Sequence, residues 1–264
     1  MKLTGRLTIP ILLLFIINSA NAVPSLMFSG KPVDPLCFSN LESNLNTIDL
    51  KTCGIKKEKY RVTGQDEDLI KKGYVGFNWK DSSSDSQGMS YYKVFSAGAN
   101  QFWAYTLNNS GGSGEFTSLK LVKQKNPQAL EIKTLMGGDR CNGGVQDVVE
   151  NNNQLRFSVN LTAADFLTLV DKNPHQLKAF DDLSACAVCC SATAIYEADS
   201  SSGEKLSYVD LGQDADIANM PNQGKYQECF NKLLASYISK KITKLEPQKL
   251  TDFVNQFNEE CINS

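Results

Sequence analysis

Two stretches of this chain combine residue types and spacings that can do chemistry. The first is Cys186-Ala187-Val188-Cys189, followed directly by Cys190. Thiols three residues apart have the spacing of a redox-active pair or of half a zinc site. A redox pair needs its first cysteine at a helix N-terminus, where the dipole lowers the thiol pKa. Here the sequence runs on into Ser191-Ala192-Thr193-Ala194-Ile195-Tyr196, small and β-branched residues that predict a strand over 186–196. A zinc cage would need further ligands. There is no second C-x-x-C, and the sole histidine, His175, lies beside Pro174 in an expected loop. Neither a metal nor a cofactor is called for.

The second stretch runs from Gly137 to Asp147 and holds four glycines around Asp139, Arg140, Cys141 and Asn142. Glycines that take positive φ can turn several amides toward one point, a shape that cradles an anion or supports a calcium ion. Asp139, Arg140, Asn142 and Asp147 would then be the polar groups of a pocket. The competing reading is a tight, disulfide-anchored turn with Asp139 and Arg140 paired on its surface. The spacing fits neither a phosphate-binding loop nor an EF-hand. A third candidate is aromatic: Trp103 and Tyr105 share one face of a predicted strand, with Phe102 on the other, and could stack on a sugar or else pack in a core.

Hydrolytic chemistry finds little footing. A triad needs a histidine oriented by a carboxylate, and no serine lies in a G-x-S-x-G elbow. Asp181-Asp182 and Glu259-Glu260 are neighbours in sequence, whereas a glycosidase needs two carboxyls facing each other across a substrate. Three readings stay open. They are a binding or structural module, a secreted hydrolase using acidic residues, and a thiol oxidoreductase at Cys186 and Cys189.

The elements that must position these residues follow from the patterning. Residues 1–22 have the layout of a signal peptide: basic Lys2 and Arg6, an apolar run from Leu7 to Ile17, and the small-residue end Ala20-Asn21-Ala22. The run is shorter than the ~20 residues of a membrane span, and Pro10 interrupts it. Cleavage would take the formal charge from −2 to −4 and place the chain in the secreted or periplasmic space. No basic patch survives, so a nucleic-acid partner is not expected. No membrane span is expected after cleavage. A protein or carbohydrate ligand fits the remaining classes.

Residues 23–60 form a proline-bearing lead with a helix expected near Cys37 to Leu45. Residues 61–220 read as an antiparallel β domain with one inserted helix. Its strands are expected at 91–95, 101–107, 116–122, 130–135, 145–149, 155–161, 186–196 and 206–211, split by Gly/Asn/Ser turns. Thr162-Ala163-Ala164-Asp165 reads as a capping box opening the helix, which Asn173-Pro174 stops. Residues 221–264 switch to helical period and predict a hairpin of two helices, with Pro247 opening the second. The fold class is α+β: an antiparallel meander, sandwich or barrel-like, followed by a helical hairpin. Asn108-Asn109-Ser110 and Asn160-Leu161-Thr162 match the glycosylation sequon, which matters only in a eukaryotic host.

Eight cysteines behind such a leader imply a disulfide framework. Cys37 and Cys53 bracket one short segment and can close it. Cys141 is the favoured partner for one of Cys186, Cys189 and Cys190. A strand there would turn Cys189 away from Cys186 and Cys190, so two separate partners are expected. Cys229 and Cys261 each lie about 14 to 15 residues from the hairpin break, roughly 21 to 23 Å of helix, which brings the two sulfurs level. The competing arrangement sends Cys261 to Cys37 or Cys53.

The runs GGDRCNGGVQDV (Gly137 to Val148) and CAVCC (Cys186 to Cys190) resemble uncharacterised secreted proteins of Gram-negative bacteria, over roughly a third of the chain. The resemblance implies an antiparallel β domain in the periplasm or secreted space. It carries no activity and no site residue.

Overall fold

A computed structural model of the chain describes residues 26–39, 46–55, 59–151, 154–170, 180–212 and 224–263. The signal peptide with its cleavage site, residues 40–45 of the expected N-terminal helix, the Asn173-Pro174 stop and His175 lie outside the described residues.

Alternating apolar residues build a seven-stranded antiparallel sheet. Its members are β3 (Asn46–Asp49), β4 (Tyr60–Gly64), β5 (Val75–Asp81), β6 (Gln87–Gly98), β7 (Gln101–Asn109), β8 (Phe116–Asn126) and β9 (Ala129–Asp139), in the order β3-β9-β8-β7-β6-β5-β4. The five strands β5 to β9 form a plain meander. A second sheet follows, of β10 (Val145–Asn151), β11 (Gln154–Leu161), β12 (Ala192–Asp199), β13 (Gly203–Asp210) and β14 (Lys244–Leu245), antiparallel and in chain order. Two short strands, β1 (Met27–Phe28) and β2 (Lys31–Pro32), pair within the N-terminal lead. The expected strands at 91–95, 101–107, 116–122, 130–135, 145–149, 155–161 and 206–211 are present, most of them longer than predicted. β4, β5 and the short helix α1 (Glu67–Lys71) add an edge that the apolar pattern did not mark.

Both faces of the large sheet are covered, and successive residues of one strand therefore enter different cores. Trp103 and Phe95 pack into the main core, which continues through Phe157, Val159 and Ala194 of the second sheet. Ala104, Val94 and Tyr92 point the other way, into a smaller core closed by Leu26, Val33, Phe38 and Leu50 of the lead. Tyr92 donates to the Val33 carbonyl at 2.8 Å and its ring meets Phe38 at 4.8 Å. The lead reads as a short turn of 3-10 helix at Pro35–Phe38 capped by Asp34, whose carboxylate also accepts from Ile55 N at 2.9 Å. The Cys37–Cys53 bridge closes the same loop.

The inserted helix α2 (Ala163–Val170) opens on the predicted capping box. Thr162 N donates to Asp165 Oδ2 at 2.6 Å, and Asp165 N donates to Thr162 Oγ1 at 3.4 Å. Burial pushes the Asp165 carboxyl up, against the pull of these bonds. The helices α3 (Lys225–Ser239) and α4 (Pro247–Phe257), extended by a wider turn at Asn258–Ile262, cover the second sheet. Phe166 of α2, Phe230 of α3 and Phe253 of α4 meet edge to face or tilted, their ring centres 5.2 to 5.6 Å apart. Pro247 opens α4, and Cys229 and Cys261 are bridged with Cα atoms 5.8 Å apart, as the equal arms require.

One strand expectation fails. Residues 186–191 form a turn, and β12 starts only at Ala192. Cys189 N donates to the Cys186 carbonyl at 3.0 Å, folding the chain back on itself and bringing the two thiols together. Cys186 therefore bridges Cys189, and Cys190 bridges Cys141. The rule that opposite strand faces need separate partners does not apply to a turn.

Candidate functional site

Asp139, Arg140 and Asn142 share one tight turn, in which Asn142 N donates to the Asp139 carbonyl at 2.7 Å, while Asp147 lies further on in β10. Asp139 is buried and its carboxylate is spent internally: Oδ1 accepts from Glu115 N and from Arg140 Nε, both at 3.1 Å. Arg140, at φ 43°, pairs only with that neighbour among the described residues. Asn142 and Asp147 are exposed, and Asp147 accepts from Ser158 Oγ at 2.9 Å on the next strand. The glycine loop is thus a structural clamp, fixed at one end by Cys141–Cys190. Gly138 is required there, since a Cβ would run into the Asn142 carbonyl. Among the described residues no three His, Cys, Asp or Glu side chains come together as a metal site would need.

Of the two readings of the aromatic face, Trp103 takes the core one. Trp103 is fully buried in the main core, and Tyr105 packs beside it with its hydroxyl donating to the Val145 carbonyl at 2.9 Å. Burial pushes the Tyr105 phenol up. The Trp103 ring is closed to a ligand, and Tyr105 is half-buried. The sheet is covered on both sides, so alternation alone could not tell a surface face from a core face. Asp181-Asp182 and Glu259-Glu260 are exposed on two separate helical turns. Cys186 is exposed and Cys189 buried, but no helix starts at the pair to lower a thiol pKa.

The structure instead shows a site that the sequence reading missed. A cavity of about 740 Å³ borders the lead-covered face of the large sheet, walled by Leu36, Phe38 and Ser39 of the lead and reaching Val159 of the second sheet. A polar stripe steps across four strands here, and its Ser90, Asn108, Ser118, Lys120 and Thr134 line the cavity. Ser90 of β6 lies opposite Asn108 of β7, Thr106 of β7 opposite Ser118 of β8, and Lys120 of β8 opposite Thr134 of β9. Thr106 Oγ1 and Ser118 Oγ are 2.6 Å apart, and Trp79 Nε1 donates to Ser90 Oγ at 3.3 Å. Gly88 makes room for the Trp79 ring, which a Cβ there would strike.

Lys120 is the centre of this stripe. Only 4% of it is exposed, and its Nζ donates to Thr134 Oγ1 at 3.0 Å. No carboxylate pairs with it among the described residues, and desolvation pushes the ammonium down to about 8. A register shift between Leu119 and Lys120 leaves Leu135 as an extra residue on β9. Thr134, Leu135 and Met136 consequently all reach the cavity, a use of a bulge to re-aim side chains beside a site. The rest of the lining mixes Tyr60, Phe116 and Val159 with Asn109 and Ser110. No Asp, Glu, His or Cys is among the described lining residues.

A signal for this site did exist in the sequence. Period-two alternation carries the buried face of β7 from Ala104 to Thr106 and Asn108, and that of β8 from Val122 back to Lys120 and Ser118. Polar residues at consecutive core-facing positions mark a face that is not simply core.

Comparison with known proteins found no matching family model, no matching curated protein and no matching solved structure.

Proposed function

We propose that the chain is an exported, disulfide-stabilised binding protein, and that its ligand site is the cavity beneath the N-terminal lead. One observation carries the reading: a stepped stripe of polar residues interrupts an otherwise apolar, covered sheet face, and five of them, Ser90, Asn108, Ser118, Lys120 and Thr134, line a cavity of about 740 Å³. That volume lies within the roughly 300–1,000 Å³ of small-molecule sites, and apolar walls with a few placed polar groups are their usual lining. Four disulfides support residence outside the reducing cytosol, in keeping with the leader layout and with the resemblance to secreted Gram-negative proteins. No described helix is long and apolar enough to cross a membrane.

The acidic hydrolase is less well supported, because general acid–base work needs a carboxylate or imidazole at the cavity and its described lining holds neither. The oxidoreductase reading lacks the helix that would activate Cys186. The test is titration with the neutral fluorophore N-phenyl-1-naphthylamine. Saturable one-to-one enhancement is expected, lost when Asn108→Trp fills the cavity. Absence of saturable binding, or binding indifferent to Asn108→Trp, would refute the reading.

A further inference from the structure

Lys120 is out of place in a covered sheet. A lysine ammonium has three N–H donors, and here one of them meets a neutral hydroxyl while no carboxylate stands opposite. Burying an unpaired charge is costly, so charged groups taken out of water are normally matched by an opposite charge. The neighbouring polar groups do not supply it: Thr106 and Ser118 are engaged with each other, and Ser90 is held by Trp79. What faces Lys120 is the cavity. We infer that the cavity takes a hydrophobic monocarboxylate, whose carboxylate pairs with Lys120 Nζ and whose apolar body lies along Trp79, Phe38 and Met136.

The inference rests on the reading of the cavity as a binding site and adds the chemistry of its ligand. Charge count selects a monoanion. Lys120 is the single cationic group among the described lining residues, with no arginine fork beside it, so a phosphate dianion would be left half neutralised. The walls select the rest of the molecule. Leu36, Phe38, Trp79 and Met136 offer apolar surface that a sugar acid or an amino acid would not cover.

The experiment is calorimetric titration of the intact, oxidised protein with decanoate and with decan-1-ol, which share a chain and differ in charge. Decanoate should bind one-to-one and about ten-fold or more tighter than the alcohol, the size of a charge-assisted hydrogen bond. Lys120→Met should erase that preference, and Lys120→Arg, which keeps the charge should the methionine variant fold poorly, should preserve it. Equal affinities for acid and alcohol in the wild type, or a preference for acid that survives Lys120→Met, would overturn the inference while leaving the cavity a binding site. Failure of both ligands together with failure of the neutral fluorophore would instead bring down the reading of the cavity itself.

Discussion

At the scale of single residues, Trp103 and Lys120 are buried polar groups without a full set of partners, and each makes a distinct prediction. The Trp103 indole is fully buried and its Nε1–H has no acceptor among the described residues. Removing an unsatisfied donor recovers about 1–3 kcal/mol, which offsets the poorer packing of a smaller ring. Trp103→Phe should therefore stay within about 1 kcal/mol of wild type, whereas Trp103→Ala should cost about 3–5 kcal/mol. Urea unfolding of both variants measures the contrast, and a Phe variant as damaged as the Ala one would show that the indole N–H does have a partner. Lys120 behaves differently because it titrates. Its folded pKa is lowered to about 8 by desolvation, below the ordinary lysine value of about 10.4. Between those values the unfolded chain binds the extra proton, so stability contributed at this position rises with pH across the window from about 8 to 10.4. Below it, the full penalty of the buried charge is present. Urea midpoints at pH 7.5 and 10 should show the wild type gaining on Lys120→Met by on the order of 1–3 kcal/mol. A constant gap between the two proteins would mean that the ammonium is solvated.

At the scale of elements, stability is concentrated where a helix begins and where two helices are tied. Asp165 holds Thr162 N at 2.6 Å and Thr162 Oγ1 at 2.8 Å, and Thr162 is itself buried. Asp165→Ala would leave that amide without a partner while the Thr162 Oγ1 cap stays, at a cost of about 1–2 kcal/mol, much of which Asp165→Asn should restore. Far-UV circular dichroism followed through thermal unfolding resolves the two variants. The hairpin bridge acts through the unfolded chain. Cys229 and Cys261 are 32 residues apart, and closing a loop of that length stabilises by about 3–4 kcal/mol in the chain-entropy account. The double Cys229→Ala, Cys261→Ala variant should lose about that much, with Phe230, Phe253 and Phe257 still holding the hairpin in place.

At the scale of the whole molecule, the large sheet separates two cores of different character. The main core gathers residues of both sheets and all three long helices, whereas the smaller one depends on a lead of irregular structure pinned by β3, Asp34 and the Cys37–Cys53 bridge. Local opening is easiest where few apolar side chains are buried together, so the lead should be the first part to loosen. Replacing Cys37 and Cys53 by alanine should raise hydrogen exchange across residues 26–38 and 46–55 while α2 and α4 stay protected. Because Leu36 and Phe38 wall the cavity, the same variant should bind the neutral fluorophore more weakly. Uniform loss of protection through both cores would show that the lead is part of one cooperative unit.

Much of this architecture was legible in the amino-acid sequence, for a local reason. Period-two alternation between β6 and β11, the Thr162–Asp165 box, Pro247 at the start of α4 and the equal arms to Cys229 and Cys261 all act over a few residues or along one element. Short range is where propensity and spacing carry information. The turn at Cys186–Cys189 escaped because small and β-branched residues favour a strand only if nothing closes the chain sooner, and here a disulfide three residues long does. Whether Trp103 and Tyr105 face a ligand or a core stayed open because alternation separates the two faces of a strand without saying what covers either. That is decided by the second sheet on one side and the lead on the other, segments distant in sequence. The stripe from Ser90 to Thr134 needed register as well, since only the pairing of four strands, with Leu135 bulged out, places Lys120 beside Thr134 and before the cavity. Sequence determined most of the elements and the Cys229–Cys261 tie; tertiary structure alone decided which polar residues share a buried face, because register and coverage are properties of chains packed together.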